Sequence, residues 1–309
     1  MSMLDPLFIL APPRSFTSLV CACVGQHPEL LGLPELNLFQ ADKMEDFWSG
    51  REPDGQLRSP FWAVMRHGML RTVAQFYSGE QTIQSVNMAE RWIKTRRDRT
   101  SGEVYRELAE YVAPLRIVEK SPGYLRGRVN LERLIATFPN ARFIHLLRHP
   151  RGQCESLMNA KGGQALLFML GSVDRSGEEP VLDPQILWHD ANVRILDFLE
   201  DLPPERSIQV RGEAFLNDMD ATLARICDWL GVRGDAQAIE AMKHPEDSPF
   251  SHVGPINARL GNDINFLNAP ALRPGGVTMP TLAGPLDWRP DGASFHPRVA
   301  EMAREFGYE

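Results

Sequence analysis

Short apolar runs alternate along this chain with longer segments in which apolar residues recur at helical spacing. The runs at residues 7–11 and 141–147 are dominated by apolar side chains and indicate buried strands. Residues 184–202 repeat apolar positions every three or four residues, which predicts an amphipathic helix. Since strands that alternate with helices favour a parallel sheet, we predict an α/β fold with a central parallel β-sheet flanked by helices.

Weaker patterns complete the predicted order of elements. Helical spacing dominates residues 40–113. Shorter elements are predicted as helices at residues 131–138, 150–160 and 221–230 and as strands at residues 115–119 and 208–210. Gly231 is the expected C-terminal end of the last of these helices.

Two segments, residues 161–183 and 244–291, lack either pattern and are rich in glycine and proline. Long irregular segments inside a compact domain are usually functional or disordered. The second segment keeps many apolar residues, so we expect an ordered, irregular C-terminal cover over the functional site. No linker or change in composition divides the chain, and we expect one domain over residues 1–309.

The composition narrows the classes of partner and cofactor. With a net charge of −7, the chain has no bulk attraction to nucleic acid or to an anionic membrane, so an anionic ligand needs a local cluster of cations. The four cysteines are too few for a disulfide framework, and no ligand spacing indicates a metal site. No apolar stretch approaches the length of a membrane span and no signal peptide is recognisable, so we expect a cytoplasmic protein.

The segment after the first predicted strand carries the chemistry of an anion site. Two prolines end the strand, and Ser15, Thr17 and Ser18 then offer hydroxyl and backbone N–H groups at the start of a helix. A helix N-terminus that follows a tight turn binds anions readily. Arg14 adds a positive charge with a planar set of donors. We therefore predict that this loop holds a phosphate or a sulfate.

A second anion site is predicted at the end of the strand at residues 141–147. Arg148 follows this strand, Pro150 suits the first position of the next helix, and Ser156 lies on its second turn. Ligands of open parallel sheets bind at the carboxyl ends of the strands. Two anion sites on neighbouring strands suggest a nucleotide that is phosphorylated in two places.

These motifs resemble those of the sulfotransferases that use 3′-phosphoadenosine 5′-phosphosulfate (PAPS), especially bacterial members associated with polyketide synthases and the tyrosylprotein sulfotransferases. In that family a Pro-Arg/Lys-Ser-Gly-Thr-Thr loop holds the 5′-phosphosulfate, and an Arg followed by a Ser eight residues later holds the 3′-phosphate. The resemblance implies a P-loop-like fold, PAPS as cosubstrate and no metal. It assigns the 5′-phosphosulfate to Arg14, Ser15, Phe16, Thr17 and Ser18, and the 3′-phosphate to Arg148 and Ser156.

The chain departs from the family pattern at two positions. Phe16 stands where the family has a loop glycine, and we expect a right-handed helical backbone there with the ring packed elsewhere. Gly212 stands where the family often has a Tyr that helps to bind the nucleotide. Arg211 is a candidate substitute for that contact.

The resemblance also implies the residues that carry out the transfer. Lys120 matches a family Lys that contacts the sulfuryl group, and Arg14 is the second cation. Two residues compete as the proton acceptor. Glu35 matches the catalytic Glu of the tyrosylprotein-type enzymes, and a desolvated carboxylate can serve as a general base. His252 resembles a His of the polyketide-synthase-type relatives, and an imidazole titrates near neutrality.

Rival functions and the acceptor remain open at the level of the sequence. A P-loop kinase is disfavoured because Gly-x-x-x-x-Gly-Lys-Ser/Thr is absent and Arg148 stands where such enzymes place a magnesium-binding Asp. A non-catalytic nucleotide-binding or interaction protein would be supported if Lys120, Arg14 and both base candidates lay away from one cleft. The expected acceptor is a hydroxyl of a small molecule or of an acyl chain bound to a carrier protein.

Overall fold

The computed structural model of the protein describes residues 3–51, 55–56, 61–177, 179–273 and 276–309. In this described part, the strands are β1 (Leu7–Leu10), β2 (Leu30–Gly32), β3 (Arg116–Glu119), β4 (Arg142–Leu147), β5 (Val173–Asp174), β6 (Val181–Leu182) and β7 (Ser207–Arg211). Five of the strands described form a parallel sheet in the order β2-β3-β1-β4-β7, and β5 and β6 form a separate antiparallel pair. The predicted central parallel sheet is therefore confirmed.

Helices connect the strands and pack on the sheet. Those before β3 are α1 (Thr17–Gly25), α2 (Met44–Ser49), α3 (Trp62–Met65), α4 (His67–Ser78), α5 (Ile83–Lys94) and α6 (Ser101–Val112). Those after β3 are α7 (Arg128–Thr137), α8 (Pro150–Met158), α9 (Gly163–Met169), α10 (Pro184–Glu200), α11 (Gly212–Asn217), α12 (Met219–Leu230), α13 (Ala236–Met242), α14 (Ile264–Asn268) and α15 (Pro297–Glu305). Short 3-10 helices lie at Leu38–Gln40, Pro122–Arg126, Pro204–Arg206 and Pro245–Asp247. In the part of the chain that the structure describes, no helix is both long enough and apolar enough to cross a lipid bilayer.

The central strand β1 shows how the sheet is buried on both faces. Phe8 and Leu10 belong to the core formed with α4 to α7 and α10, whereas Leu7 and Ile9 belong to the core formed with α1, α12 and α13. The centroid of the Phe8 ring lies 5.8–6.5 Å from those of five other aromatic rings. Truncation of such a ring to alanine costs about 3–5 kcal/mol. The strand that leads into the first anion loop is therefore firmly anchored.

The strand order brings three loops to one edge of the sheet. Strands β3 and β4 both lie beside β1 and run parallel to it, so their carboxyl ends meet at the same edge. Lys120 after β3, the loop after β1 and Arg148 after β4 therefore lie next to one another. Gly212, which follows β7, joins this edge on the far side of β4.

The structure contains several elements that the sequence analysis does not predict, namely the strands β2, β5 and β6 and the helices α9, α11, α13, α14 and α15. Residues 161–183, predicted to be irregular, contain α9 and the β5–β6 pair. Gly162 precedes α9 with φ 79°, and Arg289 holds the strand pair through ion pairs to Asp174 at 2.6 Å and to Asp183 at 2.8 Å. Strand β2 has no counterpart among the predicted strands, because three residues carry too little periodicity to be recognised.

The cover at residues 244–291 is ordered and mostly irregular, as predicted; residues 274–275 lie outside the described residues. The side chain of Phe250 is buried in the main core. The carbonyl oxygen of Gly261 accepts a hydrogen bond from the backbone N–H of Glu35 at 2.7 Å. The cover is therefore joined directly to one of the candidate catalytic residues.

Candidate active site

The loop between β1 and α1 has an uncommon backbone. Arg14 has φ 70° and Phe16 has φ 60°, so both adopt the left-handed conformation. This conformation costs a residue other than glycine roughly 1–2 kcal/mol. The prediction of a right-handed helical Phe16 is therefore wrong. The ring of Phe16 packs against Gly212, and this tertiary contact holds the backbone where local preference alone would not place it.

The start of α1 is open to an anion. The N-cap residue Phe16 makes no side-chain cap hydrogen bond in the described structure, and no acidic residue lies in the first turn. The N–H groups of Thr17, Ser18 and Leu19 consequently have no partner within the helix. The Oγ atom of Ser15 is buried and has no hydrogen-bond partner among the described residues. Unpaired donors at a helix start are the groups that a phosphate or sulfate satisfies.

Arg14 lies beside this helix start and is already engaged. Its Nε donates to Ser156 Oγ at 3.2 Å, and its guanidinium forms an ion pair with Asp263 of the cover. Burial lowers the pKa of Arg14 below its ordinary value. An anionic ligand at this loop therefore competes with the carboxylate of Asp263 for the same cation.

Arg148 is a partly buried cation with a different environment. Its guanidinium lies 4.1 Å from the centroid of the Phe16 ring and donates to the carbonyl oxygen of Arg14. Burial lowers the pKa of Arg148 to about 10. Among the described residues no carboxylate forms an ion pair with it, because nearby Glu213 accepts instead from the N–H of His149 at 2.8 Å and from the hydroxyl of Tyr308 at 2.9 Å. A desolvated guanidinium without a counter-ion favours a bound anion.

These groups line one large cavity, the Arg14 cavity, with a volume of about 880 Å³. Its polar side carries Arg14, Thr17, Ser18, Arg148 and Ser156. Its apolar side includes Leu216, Met219, Phe266 and Leu272. A side cavity of about 350 Å³ shares Phe16, Arg148 and Ser156 with it. Arg14 and Arg148 thus place two cations beside apolar walls in one cavity, and such a lining suits a ligand with anionic groups and an apolar body.

Lys120, which follows β3, forms a hydrogen-bonded ion pair with Glu35. The side chain of Lys120 is only 1% exposed, and that of Glu35 is 30% exposed. Nζ of Lys120 donates to Oε1 of Glu35. The pair therefore combines a buried cation with a carboxylate that still reaches the solvent.

The backbone of Glu35 is enclosed on two sides. Gly261 of the cover accepts its N–H, and Gly68 of α4 lies against its carbonyl oxygen. A Cβ atom at position 68 would come within 2.0 Å of that oxygen, so this close approach requires glycine. Segments far apart in the sequence thus fix the position of the candidate base.

Glu119, at the end of β3, forms hydrogen bonds that hold the segment after Glu35 against this strand. Its Oε1 accepts a hydrogen bond from the N–H of Leu36 at 3.1 Å and another from the hydroxyl of Ser121. Glu119 is fully buried, and burial raises its pKa to about 7. Its contacts connect the residue after Glu35 to the strand that leads into Lys120.

A second cavity, the Glu35 cavity, has a volume of about 620 Å³. Pro13 and Glu35 line it, whereas Arg14, the next residue of the loop, lines the Arg14 cavity. Its walls are largely apolar and include Met65, Leu125, Leu166, Met169, Leu170, Ile186 and Leu187. Its exposed mouth carries Arg126, Lys161, Asp190 and Arg194, which gives it an excess of positive charge.

Not every residue considered from the sequence reaches these cavities. His252 is exposed in the cover and is not among the described residues that line either cavity. Arg211 donates to the carbonyl oxygen of Gly307 at 2.6 Å and is likewise absent from the described lining of the Arg14 cavity. Asp263 does reach Arg14, although only its place in the polar stretch at residues 261–266 marks it in the sequence. In the described part of the chain, no group of His, Cys, Asp and Glu side chains could hold a metal ion.

Comparisons with known proteins agree with this architecture. A family model described as "Sulfotransferase family" matches residues 6–236. The solved structure described as "Sulfotransferase Domain from the Curacin Biosynthetic Pathway" is 24% identical, with a TM-score of 0.74 and coverage of 100% of this chain and 99% of that chain. The sulfotransferase domain from the olefin synthase of Synechococcus PCC 7002 is also 24% identical, with a TM-score of 0.69 and coverage of 100% and 98%. At this identity the likeness concerns the fold. No curated protein sequence matches the chain.

Proposed function

This chain belongs to the sulfotransferase family, and we propose that it moves a sulfuryl group from PAPS to an acceptor hydroxyl, without a metal ion. The observation that carries the proposal is Arg148. It is a desolvated guanidinium that no described carboxylate pairs with, in the same cavity as the uncapped start of α1. Two such subsites match a nucleotide with a 3′-phosphate and a 5′-phosphosulfate.

The residues of the Arg14 cavity divide between the two ends of the donor. In this proposal Arg14, the hydroxyl groups of Ser15, Thr17 and Ser18, and the backbone at Phe16 hold the 5′-phosphosulfate. Arg148 and Ser156 hold the 3′-phosphate. The apolar side of the cavity receives the adenine. Ser15 is buried outside the described cavity lining, and its hydroxyl, which has no hydrogen-bond partner among the described residues, would need a small local shift to reach a phosphosulfate oxygen.

The transfer itself is an in-line displacement at sulfur. A new bond forms between the acceptor oxygen and sulfur while the bond from sulfur to the bridging phosphate oxygen breaks and leaves its electron pair on that oxygen. We argue by analogy with phosphoryl transfer that positioning and electrostatics supply most of the acceleration. Lys120 and Arg14 would stabilise the charge that develops on the departing phosphate.

The proton of the acceptor hydroxyl needs a base. We propose Glu35 for this role rather than the exposed His252, because Glu35 lines the second cavity and touches Lys120. One carboxylate would then accept the proton while its cationic partner supports the leaving group. Proton acceptance by Glu35 and charge development near Lys120 would thus be coupled through one ion pair.

The Glu35 cavity suggests the class of acceptor. Its apolar walls fit an aliphatic or aromatic body next to the reacting hydroxyl. Its exposed mouth carries Arg126, Lys161 and Arg194 against the single acid Asp190. We therefore propose a hydroxyl acceptor with an apolar body and an anionic group, either a small molecule or an acyl chain bound to a carrier protein.

Binding and turnover test the proposal separately. Calorimetric titration should show that 3′-phosphoadenosine 5′-phosphate (PAP) binds much more tightly than adenosine 5′-phosphate, with or without a chelator. A screen of hydroxyl acceptors with radiolabelled PAPS should then find a sulfated product. Equal affinity for the two nucleotides would contradict the proposed donor. Tight PAP binding without transfer to any acceptor would favour a non-catalytic nucleotide-binding protein.

A further inference from the structure

The ring of Phe16 occupies the space above Gly212. A Cβ atom at position 212 would lie 2.6 Å from Cδ2 and 3.3 Å from Cε2 of that ring. Real Cβ atoms do not approach other carbon atoms so closely. Any side chain at position 212 would therefore push the ring away, and the present position of Phe16 depends on glycine at a site 196 residues later in the sequence.

The same ring also lies against Arg148. The guanidinium carbon lies 4.1 Å from the ring centroid, a distance typical of a cation–π contact. Gly152 of α8 lies close to the guanidinium, and a Cβ there would be in ordinary contact, 3.6 Å from both Nε and Nη2 of Arg148. The guanidinium also donates to the carbonyl oxygen of Arg14. The ring and this carbonyl oxygen contact Arg148, which forms no ion pair with a described carboxylate.

The backbone of Phe16 supports a functional reason for this arrangement. Its φ of 60° is unfavourable for a large side chain, and such conformations persist where the surrounding structure requires them. A glycine at position 16 would adopt this φ without strain but would leave the guanidinium without its aromatic support. The chain keeps the strained residue.

We propose that Phe16 and Gly212 form a matched pair that positions Arg148 for the 3′-phosphate of the nucleotide. Phe16 is a positioning residue in this inference, which rests on the proposed function. The absence of a side chain at position 212 lets the ring enter from the loop after β1. The ring face then orients the guanidinium at the junction of the Arg14 cavity and the side cavity.

The first test is Phe16→Leu, which keeps a large apolar side chain and the same backbone strain but removes the ring face. Calorimetry on the full chain should show PAP affinity falling about 3- to 30-fold, the range expected for loss of a cation–π contact. Affinity for adenosine 5′-phosphate should change less than about 2-fold, because that ligand lacks the 3′-phosphate. Phe16→Tyr keeps the ring face and should retain PAP affinity.

The second test asks whether positions 16 and 212 act together. Gly212→Ala should weaken PAP binding by about the same 3- to 30-fold, because its Cβ displaces the ring. In the double variant Phe16→Leu, Gly212→Ala the two losses should not add, because the ring is already absent. Gly234→Ala is the matched control, since its Cβ would meet only Cys227 Cβ at an ordinary 3.7 Å. Thermal unfolding without ligand should show that each variant is folded.

The outcomes separate this inference from the proposed function. Equal losses for PAP and adenosine 5′-phosphate, or additive losses in the double variant, would overturn the pairing of Phe16 with Gly212 and leave the proposed function intact. If Gly212→Ala does not fold, Phe16→Leu decides the question alone. Failure of the unmodified chain to prefer PAP would overturn the proposed function and this inference together.

Discussion

The Arg14 cavity and the Glu35 cavity border consecutive residues of one loop, yet the charges around them are arranged differently. In the Arg14 cavity the guanidinium groups of Arg14 and Arg148 are partly buried, and of these two only Arg14 forms an ion pair with a carboxylate among the described residues. Beside the Glu35 cavity Lys120, which is buried and lines neither cavity, is paired with Glu35, and the cations that line this cavity are at exposed positions.

The difference follows from what each side is proposed to do. A ligand with permanent negative charge binds best where cations have been desolvated in advance, because their attraction is then weakly screened. A proton transfer instead needs a carboxylate that is ionised before the reaction and stays close to balanced charge. In this proposal the Arg14 cavity binds the anionic donor, and the proton transfer takes place at the Glu35 cavity.

The largest expected effect is a loss of turnover at the Glu35 cavity. Glu35→Gln should lower turnover with a verified acceptor about 10²- to 10⁴-fold, the usual contribution of a general base. PAP affinity measured by calorimetry should stay within about 2-fold, because Glu35 lines the other cavity. His252→Ala is the companion variant and should keep nearly normal turnover.

Two results would contradict the assignment of Glu35 as the proton acceptor. A large loss in His252→Ala with a small one in Glu35→Gln would move the base into the cover. Near-normal turnover in both variants would mean that another base, or water, accepts the proton.

The next largest expected effect is a loss of PAP affinity at the Arg14 cavity. Arg148→Ala should weaken PAP binding about 30- to 1000-fold, because it removes a charge-assisted contact and leaves a phosphate unpaired in a desolvated site. Arg225→Ala is a matched control, since this exposed arginine contacts only the carbonyl oxygen of Gln209 among the described residues. An unchanged affinity in Arg148→Ala would contradict the assignment of the 3′-phosphate.

A smaller effect concerns the free energy of unfolding. Strands β4 and β3 each carry one buried titratable group, and the two groups change stability with pH in opposite directions. Burial lowers the pKa of His145 in β4 to about 4, so the unfolded chain binds more protons between pH 6.5 and 4 and stability falls as the pH falls. Burial raises the pKa of Glu119 in β3 to about 7, so the folded chain binds more protons between pH 4.5 and 7 and stability falls as the pH rises.

Substitution of either Glu119 or His145 should make the effect of the other on the pH dependence of stability easier to measure. Glu119→Gln should make the free energy of unfolding fall more steeply as the pH is lowered below 6.5, and His145→Gln should make it fall more steeply as the pH is raised above 4.5. We expect differences of about 1–3 kcal/mol across the window, measured by urea unfolding. Parallel curves for the two variants would contradict the opposed responses.

The smallest expected effect tests the competition at Arg14. Asp263→Asn should strengthen PAP binding about 2- to 10-fold, because the carboxylate that competes for the guanidinium is removed while the side chain can still cap α14. Asp235→Asn is the matched control, since Asp235 also caps a helix and pairs with an arginine, but outside both described cavity linings. Weaker binding in Asp263→Asn would instead make Asp263 part of the ligand site.

Much of the anion chemistry was accessible from the sequence because it is local. The polar residues from Arg14 to Ser18 follow a buried strand directly, and Arg148 and Ser156 are separated by one strand end and two turns of helix. The conformation of Phe16 was not accessible, because it depends on the missing side chain at Gly212. The contact between Arg14 and Asp263 was not accessible either, because an irregular segment has no period from which its path could be traced.

Sequence patterns were sufficient for the alternation of the longer strands and helices, the loop with anion chemistry and the family, but not for the short strands β2, β5 and β6. Apolar periodicity and short motifs act within a few residues, so they can be recognised without knowledge of the fold. The pairing of distant residues required the tertiary structure, which brings together Glu35 with Lys120, Gly68 and Gly261, and Phe16 with Gly212 and Arg148. These contacts depend on the parallel strand order and on close backbone approaches, which no local pattern encodes.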